Sequence, residues 1–333
     1  MDWTALIQTD RAGLTECVHF GAIAVTDAQG RLLASAGNPE LMTFTRSTLK
    51  PFQALPFVEA GGVDHFKFDS SQLALLCASH NGEDRHVMQV EKLLSAARLG
   101  YKRLQCGCHT PYFVELGLKG SGGPHDERHH NCSGKHAGFL AYCVQHGLPL
   151  DNYLSPEHPL QQAIVRCLQQ VLSLNETQMV AGTDGCSAPN YALPLSHLAL
   201  GYARLALGTA GPVMGASLAR LSQAMRSHPD LVSGTARNDE AFMRIGRGDW
   251  VTKVGADGVQ AIGSLSRGQG VAIKISDGSK PALFAASVAV MDQLGWLDDV
   301  QRKALEPWRA QDLRSVKGQL VGQRRAVFEL KRP

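Results

Sequence analysis

The 333-residue chain lacks most of the features that mark specialised classes. Aromatic residues make up 6%, and 33 basic side chains stand against 30 acidic ones, a formal net charge of +3. So small a surplus gives no electrostatic footprint for nucleic acid. No segment approaches the roughly 18 uninterrupted apolar residues of a membrane-spanning helix. The stretch Met1 to Asp10 carries no basic region followed by an apolar run, so it does not read as a secretory signal. A cytoplasmic protein with neither a membrane nor a nucleic-acid partner is expected. There is no G-x-G-x-x-G after a strand, no Walker A loop, no internal repeat and no low-complexity tract, which argues against a doubly wound nucleotide-binding fold. With 44% hydrophobic residues the chain has ample material for a core, which excludes disordered and fibrous architectures.

Cysteine, in contrast, is plentiful, at positions 17, 77, 106, 108, 132, 143, 167 and 186. In a reducing compartment these are thiols, metal ligands or nucleophiles rather than disulfides. No zinc-ribbon pair of C-x-x-C motifs is present, so each needs its own account. Cys17, Cys77, Cys143 and Cys167 lie in apolar patterns and read as core residues. Cys106-Gly107-Cys108-His109 reads as a turn with structural thiols, because two cysteines one residue apart do not easily share an ion with the next histidine.

Strand patterns occupy both ends of the chain. Val18, Phe20, Ala22 and Ala24 alternate before a turn at 27–30 and a second strand at 32–34. Further strands are expected at 250–254, 259–262 and 270–275. Helical spacing runs through 83–99, 160–174, 212–225 and 281–294, with Pro159 and Pro212 at first-turn positions. One α/β (α+β) domain follows over 1–333. A mainly antiparallel sheet lobe is built from both termini (about 14–50 and 250–333), and a helical lobe (about 51–249) packs on it across a cleft.

Three short motifs carry chemistry in this order. In Ser47-Thr48-Leu49-Lys50-Pro51-Phe52, a lysine lies one helical turn from a serine and can act as its base if burial or another cation lowers its pKa. Ser79-His80-Asn81 ends an apolar run, and Lys253-Val254-Gly255 sits on a strand edge. Each alone is an ordinary surface or turn sequence. Together, S-x-x-K, S-x-N and K-x-G in that order resemble the signature of serine penicillin-recognising enzymes, in which two serines and two lysines converge. A fourth constellation is foreign to those enzymes: His129 to Gly138 (H-H-N-C-S-G-K-H-A-G) with Asp184-Gly185-Cys186. If a helix starts near Asn131, Cys132 shares a face with both Lys135 and His136. With Cys186 this set suits a soft metal, zinc best, His136 being the more usual third ligand. Two buried free thiols are the alternative.

Taken together, Arg46 to Gln53, Cys77 to Glu83, Asn131 to Gly138, Asp184 to Pro189, Lys253 to Val259 and Ile275 to Gly278 resemble the rhizobial-type bacterial L-asparaginases of the asparaginase II family, along nearly the whole chain. The resemblance implies the fold of serine β-lactamases and penicillin-binding proteins, and hydrolysis of L-asparagine to L-aspartate and ammonia. It implies two Ser–Lys tandems, Ser47 with Lys50 and Ser79 with Lys253. It further implies a zinc site made by Cys132, Lys135 and Cys186, which favours Lys135 over His136 as ligand. Arg46, His136 and Asp184 would then contact substrate or support the metal, Arg46 as partner of the substrate carboxylate, and the assembly would be a homodimer. The competing readings are a glutaminase, a β-lactamase-like or peptidase-like hydrolase, and a metal-stabilised protein that binds an amino acid without turning it over.

Overall fold

The computed structural model describes residues 2–120, 122–309 and 311–333. Eight strands form one antiparallel sheet: β1 (Thr4–Arg11), β2 (Leu14–Asp27), β3 (Leu32–Ala36), and then, after the helical middle of the chain, β7 (Trp250–Gly255), β8 (Val259–Ser264), β9 (Gln269–Ile275), β10 (Gln311–Arg314) and β11 (Leu320–Ala326). Their order is β10-β11-β1-β2-β9-β8-β7, with β3 pairing the second half of β2. Between β3 and β7 a small sheet of β4 (Met42–Phe44), β5 (Val180–Thr183) and β6 (Pro189–Pro194) runs in the order β4-β6-β5.

The period-2 pattern of the central strands explains how the sheet is sandwiched. In β2, Ala22 and Ala24 face one core while Ile23 and Val25 face the other. In β9, Ala272 joins the first core, and Val271 and Ile273 join the second. Small residues thus line the face met by helix α5 (Leu195–Leu207) and the helical lobe, and large β-branched ones pack under helix α8 (Lys280–Gln293). The lobe itself is built on α1 (Ser70–Leu76), α2 (Asp84–Ala96), α3 (Ser133–Gln145), α4 (Pro159–Leu172), α6 (Pro212–Ser227) and α7 (Asn238–Ile245). The expected helices and strands therefore form within a few residues of their expected bounds.

Three sequence readings need correction. The sheet begins before residue 14, with β1, which pairs with β2 through two register irregularities, while β10 and β11, inside the expected 250–333, form a polar, mostly exposed edge. Val18 and Phe20 do not belong to the buried face, because the first half of β2 stands exposed and only Gly21 onwards enters the core. For the same reason Cys17 is exposed, whereas Cys77, Cys143 and Cys167 are buried.

Candidate active site

The small sheet delivers the first motif. Leaving β4, the chain turns at Thr45, whose N–H donates to Tyr191 O and whose hydroxyl reaches both Tyr191 O and Asn190 Oδ1. Asn190 Oδ1 also accepts the N–H of Arg46, at 3.2 Å. Arg46 is held at φ +51°, a left-handed conformation that costs a side-chain-bearing residue about 1–2 kcal/mol. Ser47 follows in a 3-10 turn (Arg46–Leu49) that runs directly into a short helix, Lys50–Gln53. From the other side Gly255 of the third motif closes on this turn: a Cβ there would lie 2.9 Å from Thr45 O and 3.2 Å from Arg46 Cβ. The glycine is therefore needed for the strand edge to approach the serine turn. Gly255→Ala is expected to lower kcat/KM by about 10²-fold through displacement of Ser47. Activity measured alongside a melting curve checks this.

The lysines of the first and third motifs are 1% and 0% exposed. Burying an ammonium costs several kcal/mol unless it is compensated, and the compensation is visible. Lys50 Nζ donates to Ala78 O, to Ser79 Oγ at 2.9 Å and to Asn131 O at 3.4 Å. Among its recorded bonds Lys50 thus pairs with Ser79 rather than with Ser47. Lys253 Nζ donates to Val254 O at 2.9 Å and lies 3.3 Å from Asp239 Oδ2. Burial pulls the pKa of Lys253 down, Asp239 opposes it, and repulsion from Lys50 and Arg237 adds to the fall, leaving it at about 8.

Asp239 was not legible in the sequence, where it sits in an unremarkable helix start. It is fully buried and accepts bonds from the Val254 N–H, the Thr252 hydroxyl and the Gln260 amide besides Lys253. Burial alone would raise its pKa, but the lysine and these donors outweigh that and hold the carboxyl below its usual range. Asn190 escaped notice for the same reason: its role is to orient backbone, which leaves no mark in spacing.

The fourth constellation also joins separate segments of the chain. Cys132 caps α3, placing Lys135 and His136 one turn along it. Gly134 lets that turn lie against the lobe, since a Cβ would come within 2.4 Å of Leu75 O. Cys186 and Asp184 sit in the tight turn joining β5 to β6, where the Ser187 N–H donates to Asp184 O. Lys135 Nζ, 3% exposed, donates to Cys186 Sγ at 3.2 Å. Cys132, then Lys135 and His136, together outweigh burial and draw the pKa of the Cys186 thiol well down. The bond to Cys186 and burial push Cys132 up. Burial draws Lys135 down, but Cys186, Cys132 and Asp184 outweigh it and raise its pKa. His136 Nδ1 meets the Tyr153 hydroxyl at 2.8 Å, while Nε2 is buried without a hydrogen bond beside the Cys186 sulfur. Two sulfurs and an amine thus converge next to an unpartnered imidazole nitrogen, a donor set that fits a soft divalent ion. Among the described residues no three His, Cys, Asp or Glu side chains cluster as metal ligands.

Arg46 binds both regions together. Its Nε donates to Asp184 Oδ1 at 2.9 Å and its Nη1 pairs with Asp257. A substrate carboxylate at Arg46 would therefore compete with two acids already in place. Two adjoining cavities meet here and share Ser47, Tyr112, Asn131 and Ala256. One, of about 470 Å³, holds Arg46, Asp184, Cys132 and Cys186. The other, of about 380 Å³, holds Ser79, Arg237, Asn238 and Lys280.

A cleft of this kind, with serine hydroxyls at its surface and lysines buried behind them, is equipped for acyl transfer. The comparison with known families narrows this: the family model for L-asparaginase II matches residues 7–326. The chain belongs to the asparaginase II family and is an L-asparaginase amidohydrolase, which hydrolyses asparagine. No curated protein matches the sequence. Among the described residues no helix is long and apolar enough to cross a membrane.

Proposed function

We propose that the enzyme hydrolyses the side-chain amide of L-asparagine by serine nucleophilic catalysis, on a fold related to the serine β-lactamases, with zinc bound beside the serines. The observation that carries this reading is the convergence of Ser47, Ser79, Lys50 and Lys253 on one cleft. Ser47 Oγ attacks the amide carbon and breaks its π bond. The Ser47 N–H takes the developing oxyanion. The serine proton enters the network of Lys50, Ser79 and Lys253 and is returned to the nitrogen as the C–N bond breaks, releasing ammonia. Water then cleaves the β-aspartyl ester to give aspartate and restore Ser47. Lys253, with a pKa of about 8, holds a substantial neutral fraction near neutral pH and suits a base role.

A specific observation favours a second assignment. Ser79 is the serine bonded to Lys50, so it has the better-placed base, whereas Ser47 opens onto both cavities and is the more accessible to substrate. Quenched acyl-enzyme mapped by mass spectrometry distinguishes the two, and an acyl group on Ser79 would reassign the nucleophile.

Cys132, Lys135 and Cys186 would hold the zinc, with His136 supporting it. Bound there, the ion would contribute charge for orienting the amino acid, since the serines already supply a nucleophile. Asp184 is placed to receive the substrate ammonium, with Arg46 positioning it. We further propose a cytoplasmic homodimer, whose mass in solution is tested by light scattering. The purified protein is expected to contain one zinc per chain, and chelation is expected to lower both its melting temperature and its activity. Ammonia release from asparagine and glutamine, each with zinc or chelator, tests the whole reading. Turnover of a chromogenic β-lactam without ammonia release from asparagine would overturn it.

A further inference from the structure

Arg237 is, with the exposed Lys280, one of two cationic groups lining the serine cavities that the mechanism above leaves without a task. It precedes α7 and lines the 380 Å³ cavity together with Ser47 and Ser79. Its guanidinium stacks on the Tyr112 ring at 4.9 Å and gives one hydrogen bond, from Nη1 to Asn81 Oδ1 at 2.9 Å. Among the described residues it forms no ion pair. The nearby Asp239 is committed to Lys253 and to four further donors. Lys280, the other cation lining this cavity, is exposed, whereas Arg237 is partly buried and loses basicity to desolvation.

A guanidinium has five N–H donors in a planar fork that matches a carboxylate. One donor on a neutral amide and a stacked ring orient the fork while leaving most of it free. On the Arg237 side the one lining carboxylate, Asp257, pairs with Arg46, and on the far side of Ser47 the second cavity holds Asp184, which also pairs with Arg46. A zwitterion whose reacting amide lies at the serines would thus meet Arg237 in one cavity and Asp184 in the other. We propose that Arg237 is the anchor for the α-carboxylate of the substrate, with the Tyr112 ring and Asn81 fixing its orientation.

This inference rests on the asparagine reading, and the test separates the two. Wild-type enzyme and Arg237→Met are compared on L-asparagine and on its α-amide, L-aspartic diamide, which lacks the carboxylate. Side-chain cleavage of the diamide is followed as isoasparagine. Arg237→Met is expected to lower kcat/KM for asparagine about 10²-fold and to change that for the diamide less than about threefold. Arg237→Lys is expected to fall between, because a point charge replaces a fork. An equal loss on both substrates, which a merely structural role would produce, overturns the proposal, as does no loss on asparagine. Wild-type enzyme that cleaves neither amide would sink the asparagine reading instead. The anchor is then judged by calorimetry with L-aspartate and its α-amide. A wild-type preference for aspartate that Arg237→Met abolishes supports the anchor, and equal binding by the wild type overturns it.

Discussion

Ser47→Ala is expected to lower kcat for asparagine by about 10³-fold or more while leaving the melting temperature within about a degree or two. The asymmetry follows from where the hydroxyl sits. It lies on the cavity side of a turn whose geometry is held by backbone bonds to Asn190 and Tyr191, none of which involves its oxygen. Removing it leaves the turn intact and takes away only the atom that forms the bond to carbon. Residual activity comes from the N–H donors and the bound geometry alone. Ammonia release at saturating asparagine, with a melting curve on the same sample, is the measurement. A variant that keeps more than a tenth of wild-type kcat would exclude Ser47 as nucleophile and move the role to Ser79.

The second large effect concerns Asp239. Asp239→Asn removes the one carboxylate that holds Lys253 charged in a fully buried site. Leaving a buried ion without its partner costs about 3–5 kcal/mol. Part of that is recovered if Lys253 releases its proton, so the variant is expected to show a Lys253 pKa below the wild-type value of about 8. The sign is fixed by linkage. The unfolded lysine binds its proton up to its ordinary pKa and the folded one does not, so the unfolded state carries more protons between those two pKa values. Stability of the variant therefore rises with pH across that window and is poorest on the acid side. For catalysis, the wild-type rate should climb with pH as Lys253 loses its proton near pH 8. In the variant the same rise should move to lower pH, with a reduced plateau because the lysine is less firmly oriented. Profiles of kcat/KM against pH, paired with urea melts at acid and alkaline pH, test both halves. An unmoved acid limb would show that a different group controls the rate.

Much of this site is legible in the linear chain because its chemistry resides in residue types at short spacing. Ser47 and Lys50, Ser79 and Asn81, Lys253 and Gly255, and Cys132 and Lys135 are each separated by two or three residues, close enough for local structure alone to relate them. What spacing could not convey is which segment meets which. Helical spacing pairs Lys50 with Ser47, yet the amine turns to the Ser79 hydroxyl and the Ala78 and Asn131 carbonyls, because those acceptors are supplied by the segments that follow α1 and precede α3. Gly255 reads as part of a strand edge, and only the fold shows that its close neighbours are Thr45 O and Arg46 Cβ. Asp239, Asn190 and Arg237 stand outside every motif, since their work is electrostatic or positional and is defined only by what lies around them.

The same division holds for the architecture. The sequence by itself determined the central strands and the amphipathic helices, because alternation and helical periodicity report which side of an element avoids water, and it determined the set of reactive side chains. Only the folded chain shows that the weakly patterned strand β1 joins the sheet, and which carboxylate, carbonyl or hydroxyl each of the two buried lysines meets. The reason is physical: burial and pairing energies depend on distances of a few ångströms between segments remote in the chain, and those distances exist only once the chain has folded.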